Sequence, residues 1–255
     1  MIKTIFLGKH PENGGSCRGV DALKTLVDNK EIDIIGCIPN DEDLLWRFCK
    51  QHNIKIKSIK DVEEQIENVD LIISYGFMKK IKEPLISSPK IGCINFHPAP
   101  LPEWRGMGGT YNFAIFEGVK EWGVTAHFVD EGLDTGDIIQ VDRFNIDTEK
   151  ETPVSLSKKS HKKLLKLFGK VVEKVVYYNN INKSIPRETQ GEGRYISKID
   201  FDNLRIINES DTNDVIDRKI KAFWYPPYHG AYIKINGTEY SLVNNELLKK
   251  IKMRD

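Results

Sequence analysis

The chain has 255 residues, of which 40% are hydrophobic, 29% charged and 9% aromatic, with 38 Lys+Arg against 37 Asp+Glu for a formal net charge of +1. That length buries a proper core in one large domain, or in a domain with a small appendage, and so even a charge balance is not that of a protein built to grip long stretches of phosphate backbone. No apolar run approaches the ~20 residues of a bilayer span, and Met1–Leu7 leads straight into the polar stretch Gly8–Gly19 instead of continuing as an export signal, so a cytoplasmic protein is expected.

In chain order, Ile2–Leu7 and Ile32–Ile38 read as strands, and Val20–Asn29 between them carries apolar residues at helical spacing. Asp41–Gln51 repeats that spacing, with Asp41 placed as its N-cap. Strands Leu71–Tyr75 and Ile91–Phe96 follow. Strands this apolar have no wet face, so their alternation with helices predicts an α/β fold, a mostly parallel sheet covered by helices on both faces. Ligands of such sheets bind beyond the carboxyl ends of the strands, which directs attention to the loops after Leu7, Tyr75 and Phe96. Cys17, Cys37, Cys49 and Cys93 form no CxxC pair, so neither a zinc site nor a disulfide framework is expected.

Two further strands, Gly123–Val129 and Asp137–Ile146, flank the acidic turn Asp130–Gly136. Thr152-Pro153 opens a long helix whose buried stripe is Leu164, Phe168, Val171 and Val175. Lys158, Lys159, Lys162, Lys163, Lys166, Lys170 and Lys174 occupy its remaining face, read as solvated rather than as a nucleic-acid contact. The helix fades in Tyr177–Asn182. This divides the chain into residues 1–182 and a small α+β appendage, residues 183–255, which contains the aromatic cluster Phe223–Tyr228 and a β-hairpin turning at Asn236-Gly237.

The stretch Ile91–Gln140 carries the chemistry. Alternation sends Asn95 and His97 to one side of their strand. A rigid Pro98–Pro102 segment follows, then a loop with one strong cation, Glu103–Gly109, and later the acidic turn with its two glycines. An amide, an imidazole and a carboxylate suit acyl transfer: the amide donates to a developing oxyanion, the imidazole moves or donates a proton, and the carboxylate orients it. Taken as pattern alone, Asn and His at a strand end are more often satisfied turn residues. No Ser or Cys stands as a nucleophile beside His97, which favours direct attack by the acceptor over a covalent enzyme intermediate.

Asn95-Phe96-His97-Pro98, continued by Leu101–Gly106, and Gly123–Gly136 together resemble the folate-dependent formyltransferases, strongly over Leu71–Ile146 and more loosely back to residue 1. The resemblance implies a Rossmann-like fold, 10-formyltetrahydrofolate as co-substrate, a primary amine as acceptor, no metal, and Asn95, His97 and Asp134 as the catalytic set. It further implies a pterin pocket lined by the loop Ser74–Ile81, with Tyr75, Phe77, Met78, Lys79 and Ile81, closed on the other side by Val129, Asp130 and Glu131. The first loop, Gly8–Gly19, matches neither phosphate-binding pattern and is either a substrate-side loop or a connector; Lys9 and Arg18 are its candidate diphosphate contacts.

His97–Pro102, Gly191–Tyr195 and Ala222–Tyr228 are similar to the sugar N-formyltransferases, which act on nucleotide-linked amino sugars for bacterial surface glycans such as the lipopolysaccharide O-antigen. That resemblance implies a nucleotide-linked amino-dideoxy sugar as acceptor and a homodimer, with the hairpin edge as one candidate for pairing. Candidate acceptor contacts are Lys9, Arg105, Gly106, Tyr111, Trp224 and Tyr225: cations for phosphates, and a flat ring for the base. The aromatics have packing as their other use. Ala99 departs from the family, many members having Ser there. The competing readings are a methionyl-tRNA formyltransferase-like enzyme, for which the chain is short and weakly basic, and a folate- or nucleotide-sugar-binding relative without turnover.

Overall fold

The computed structural model describes residues 1–12, 15–106, 109–225 and 230–245. Of the segments singled out by sequence, Asn13, Gly14, Met107, Gly108, Pro226, Pro227 and Tyr228 lie outside the described residues. In chain order the elements are β1 (Ile2–Gly8), α1 (Gly19–Val27), β2 (Ile32–Pro39), α2 (Leu44–Gln51), α3 (Ile59–Glu63), β3 (Leu71–Tyr75), β4 (Gly92–His97), α4 (Thr110–Glu117), β5 (Glu121–Phe128), β6 (Ile138–Asn145), α5 (Pro153–Asn180), α6 (Lys198–Leu204), α7 (Asn213–Ala222), β7 (Tyr232–Ile235) and β8 (Thr238–Ser241).

Six strands form one sheet in the order β2-β1-β3-β4-β5-β6. β1 lies parallel to β2 and β3, and β3 parallel to β4, whereas β5 runs antiparallel to β4. The expected α/β class, a mostly parallel sheet with helices on both faces, is what the chain adopts. Every residue of β3 is buried, as the unbroken apolar run demands. Alternation sends Tyr75 and Phe96 to one face, where their rings meet Phe168 of α5 at centroid separations of 5.7 and 4.7 Å. The other face carries Ile5, Leu7, Ile72 and Cys93, packed with Val62 of α3 and with Val69, Ile81 and Leu85.

The buried stripe of α5 is as read, with Leu164, Phe168, Val171 and Val175 all inside. Lys158, Lys162 and Lys166 are solvated. Lys170 and Lys174 instead reach Asp142 and Gln140 of β6, at 2.7 and 3.1 Å. One boundary needs correcting: α2 is capped by Asp43 and not by Asp41. The Asp43 carboxylate accepts from the main-chain N–H of Leu45 at 2.8 Å and Trp46 at 3.2 Å, and also from His10 at 2.6 Å. The cap that wins therefore serves both the helix start and the first loop.

The chain groups into two compact units. One comprises Met1–Glu103, Gly123–Arg143 and Ser160–Gly193, the other Trp104–Trp122, Phe144–Lys159 and Arg194–Asp255. This spatial grouping recruits chain upstream of residue 183, whereas the division read from sequence followed chain order. Within the second unit α4 packs on α7, the Asn112 carboxamide donates to the Ala222 carbonyl at 2.7 Å, and Phe201 meets Phe223 edge-on at 5.1 Å. The β7–β8 hairpin turns at Asn236 and Gly237 with φ of 50° and 81°, the paired left-handed residues that a two-residue hairpin requires.

Candidate active site

β4 delivers Asn95 and His97 to the sheet face that carries Ile72 and Cys93. The antiparallel register sets Asn95 directly opposite His127 and His97 opposite Thr125. Thr125 is fully buried, and its hydroxyl ties down the proline segment beyond the strand: it donates to the Ala99 carbonyl at 2.8 Å and accepts from the Leu101 N–H at 3.0 Å. His97 is thus held between a strand and a segment with few alternative conformations. Ala99, the departure from the family's serine, is itself completely buried.

The acidic turn is organised from within. The Asp130 carboxylate accepts from the Gly132 N–H at 3.1 Å and the Thr135 hydroxyl at 2.7 Å. Gly136 admits no side chain, since a Cβ there would sit 2.0 Å from the Phe128 carbonyl oxygen. The Gln190 carboxamide donates to the carbonyls of Asp134 and Gly136 at 3.1 and 2.6 Å. Asp134, held at φ 57° where a non-glycine residue is strained, is directed inward and buried. Its Oδ1 lies 3.6 Å from Nδ1 of His97 and 3.6 Å from Nε2 of His127. Both separations are longer than a direct hydrogen bond. The structure therefore brings Asn95, His97 and Asp134 into one cluster and adds His127, which sequence reading did not single out. The signal for His127 was its parity with Thr125 on β5, usable only once β5 is known to pair antiparallel with β4.

On the same sheet face Ile81 belongs to the buried apolar cluster, and Phe77 and Val129 pack against it. Tyr75 differs: its ring sits on the opposite face, against Phe96, Phe168 and His161. Met78 is 48% exposed, and its N–H donates to the Asn40 side chain at 3.2 Å, while Asn40 also donates to the Gly76 carbonyl at 3.1 Å. Lys79 and Glu131 are exposed, and Asp130 is committed to the turn.

The first loop is anchored through its backbone. The Gly19 N–H and the Cys17 thiol both donate to the Lys9 carbonyl at 3.2 Å. Arg18 pairs with Asp21 at 2.9 Å. Burial pushes the Cys17 thiol up to about 12, so this cysteine is inert. His161 of α5 has a buried Nδ1 with no hydrogen-bond partner among the described residues. Its burial, with the charges of Lys9, His97 and Arg18 adding to it, pushes the imidazole down to about 4, so it is neutral at pH 7.

The remaining candidates belong to the second unit. Arg105 forms a bridge with Tyr195, its N–H donating to the Arg194 carbonyl at 2.9 Å and its carbonyl accepting from the Ile196 N–H at 3.1 Å. Two segments singled out separately by sequence, Glu103–Gly106 and Gly191–Tyr195, meet here. Gly106 adopts φ 95°, and a Cβ would approach the Ile196 carbonyl to 2.7 Å. Tyr111 stacks obliquely on Trp122 at 5.8 Å. Trp224 and Tyr225 are part-buried just beyond α7. Among the described residues no three His, Cys, Asp or Glu side chains converge as metal ligands, and no helix is long and apolar enough to cross a membrane.

Comparison with known proteins adds to this geometry. The formyl transferase family pattern matches residues 47–172, the span that holds all of the clustered residues. A methionyl-tRNA formyltransferase of Ehrlichia ruminantium is 34% identical over 255 residues, covering 92% of this chain and 77% of that protein. The chain belongs to the formyltransferase family. Among solved structures, an N-formyltransferase from Helicobacter canadensis, in complex with folinic acid and dTDP-3-aminofucose, is similar over 94% of this chain and 86% of its own, with a TM-score of 0.71 and 25% identity. A 4-N formyltransferase from Francisella tularensis shares the fold over 95% of this chain and 97% of its own, with a TM-score of 0.75 and 23% identity.

Proposed function

We propose that this formyltransferase moves a formyl group from 10-formyltetrahydrofolate to the primary amine of a nucleotide-linked amino-dideoxy sugar, as a cytoplasmic homodimeric enzyme of bacterial surface-glycan synthesis. The observation that carries the transfer chemistry is the Asn95–His97–Asp134 cluster, with Asp134 Oδ1 3.6 Å from the His97 ring. The sugar acceptor is supported by similarity to the H. canadensis enzyme over nearly the whole of both chains.

The acceptor's amine would attack the formyl carbon of 10-formyltetrahydrofolate directly to give a tetrahedral intermediate. From it the bond to N10 breaks and tetrahydrofolate leaves, the amine's proton passing to water or to one of the two ionisable residues, His97 and Asp134. Asn95 donates an amide N–H to the oxygen as it gains charge. His97 donates a second hydrogen bond there, and the Asp134 carboxylate orients and electrostatically supports the His97 ring. Phe77, Ile81 and Val129 supply apolar walls, an environment suited to the faces of a pterin. Met78, Lys79, Asp130 and Glu131 complete that pocket in this reading, with Tyr75 contributing main chain. Lys9, Arg105, Gly106, Tyr111, Trp224 and Tyr225 are assigned to the acceptor. Residues 1–182 form the catalytic part and 183–255 a small appended part. Kinetics on His97→Asn and Asp134→Asn test the assignment: each is expected to lower kcat by at least about 10²-fold, and near-normal formylation by both would end it.

A second reading, formylation of methionyl-tRNA, is favoured by the E. ruminantium relative. It predicts tRNA binding that weakens steeply with salt, because each phosphate contact adds to the slope. A third, ligand binding without turnover, predicts folate binding with no formylated product.

A further inference from the structure

We infer that His127 is a positioning residue, which fixes the direction in which the Asn95 carboxamide faces. The inference rests on the reading of Asn95 as the oxyanion donor. His127 is 2% exposed and lies directly across the strand pair from Asn95. Its Nδ1 is 2.7 Å from the Phe128 carbonyl oxygen. A carbonyl only accepts, so Nδ1 carries the ring proton. In the neutral imidazole Nε2 is then an acceptor, and the group 3.1 Å from it is the Asn95 Nδ2.

That contact holds only with the amide N–H₂ turned toward the ring. One N–H of Asn95 is engaged by His127, and the other is presented with a fixed orientation for an oxyanion. With no ring acceptor at position 127 the carboxamide is free to rotate by half a turn, which would offer its oxygen where a donor is required. Asp134 Oδ1, which also faces His97, lies 3.6 Å from the same Nε2, beyond hydrogen-bond range, so Asn95 and not Asp134 is the partner of that nitrogen. One carboxylate thus stands between two imidazoles with different tasks: His97 toward the reacting oxygen, His127 toward the amide.

Nitrogen-15 shifts of the His127 ring in the wild-type protein test the inference without any substrate. The proton must be on Nδ1 through the pH range of full activity; a ring protonated at Nε2, or at both nitrogens, overturns it. The kinetic arm compares His127→Gln, whose side-chain oxygen can accept from Asn95, with His127→Phe, which offers no acceptor. The Phe variant is expected to lose about 10²-fold in kcat, with KM for both substrates within about threefold of wild type, and the Gln variant to stay within about tenfold in kcat. Combining Asn95→Ala with His127→Phe is expected to cost no more than Asn95→Ala alone, because a positioner acts only through the group it positions. Losses that multiply, or wild-type kcat in a folded Phe variant, overturn the inference. Should the Phe variant not fold, the ring shifts and the Gln variant still decide. A wild-type protein with no formyl transfer would instead count against the proposed function and leave the tautomer result standing.

Discussion

Replacing Thr125 by valine keeps the side chain's shape and makes it more apolar, yet the structure predicts a clear loss of stability. The hydroxyl donates to Ala99 at 2.8 Å and accepts from Leu101 at 3.0 Å. Thr125 and Ala99 are 0% exposed and Leu101 1%, so no water replaces the lost partner. Valine leaves one buried C=O and one buried N–H unsatisfied, each costing roughly 1–3 kcal/mol, and we expect about 3 kcal/mol in total. Thr125→Ser keeps both bonds and removes one buried methyl, which costs about 1 kcal/mol. Serine is therefore predicted to be the milder replacement by about 2 kcal/mol, opposite to the ranking by hydrophobicity. Urea unfolding of the three proteins, compared by midpoint at constant slope, reads this directly. A valine variant as stable as the wild type, or more stable than the serine variant, would refute the reasoning.

Three further outcomes follow from other parts of the molecule. Gly136→Ala places a Cβ 2.0 Å from the Phe128 carbonyl oxygen, so the turn must shift, and steady-state kinetics are expected to show kcat falling by about tenfold or more as Asp134 leaves His97; unchanged kcat would mean that the turn does not hold Asp134 in place. His161, ordinarily near 6.5, is pushed down to about 4 in the fold, so between those values the unfolded chain binds a proton that the native state refuses. Stability is then fully present above pH 6.5 and lost as pH falls toward 4, by about 2 kcal/mol from pH 7 to pH 5, and His161→Gln should remove that part of the slope; identical pH dependence of the two proteins contradicts it. Lys219 is nearly buried and donates to the Ile206 carbonyl and the Asp211 carboxylate, both at 2.6 Å. Lys219→Met removes the donor to both, leaving Asp211 the Asn208 N–H at 2.9 Å and solvent, and chemical denaturation is expected to register a loss of about 1–2 kcal/mol; no loss would make the pair dispensable.

Sequence periodicity reached the parallel part of the sheet because buried strands must be apolar throughout, and β3 is buried at every residue. The relation of Asn95 to His97 was legible for the same local reason, since strand alternation needs no tertiary knowledge. The Asn236-Gly237 turn was legible because few residue pairs accept two successive left-handed conformations. What escaped was set by distant chain. Asp43 outcompetes Asp41 as the α2 cap because the first loop also needs its carboxylate, through the His10 N–H at 2.6 Å. His127 becomes visible only through the antiparallel pairing of β5 with β4. Tyr75 entered the expected pocket only through the family resemblance, and its parity with Phe96 sets its ring against α5. The pairing of Arg105 with Tyr195 joins segments about ninety residues apart, for which no local pattern exists.

The measurement that bears most directly on the proposed reaction is product mass spectrometry. The purified protein is incubated with 10-formyltetrahydrofolate and, separately, with a panel of nucleotide-linked amino sugars and with methionyl-tRNA. The expected result is a formylated amine on at least one sugar nucleotide, lost in Asn95→Ala, and no formylated methionyl-tRNA. Formyl transfer to methionyl-tRNA and to none of the sugars would contradict it.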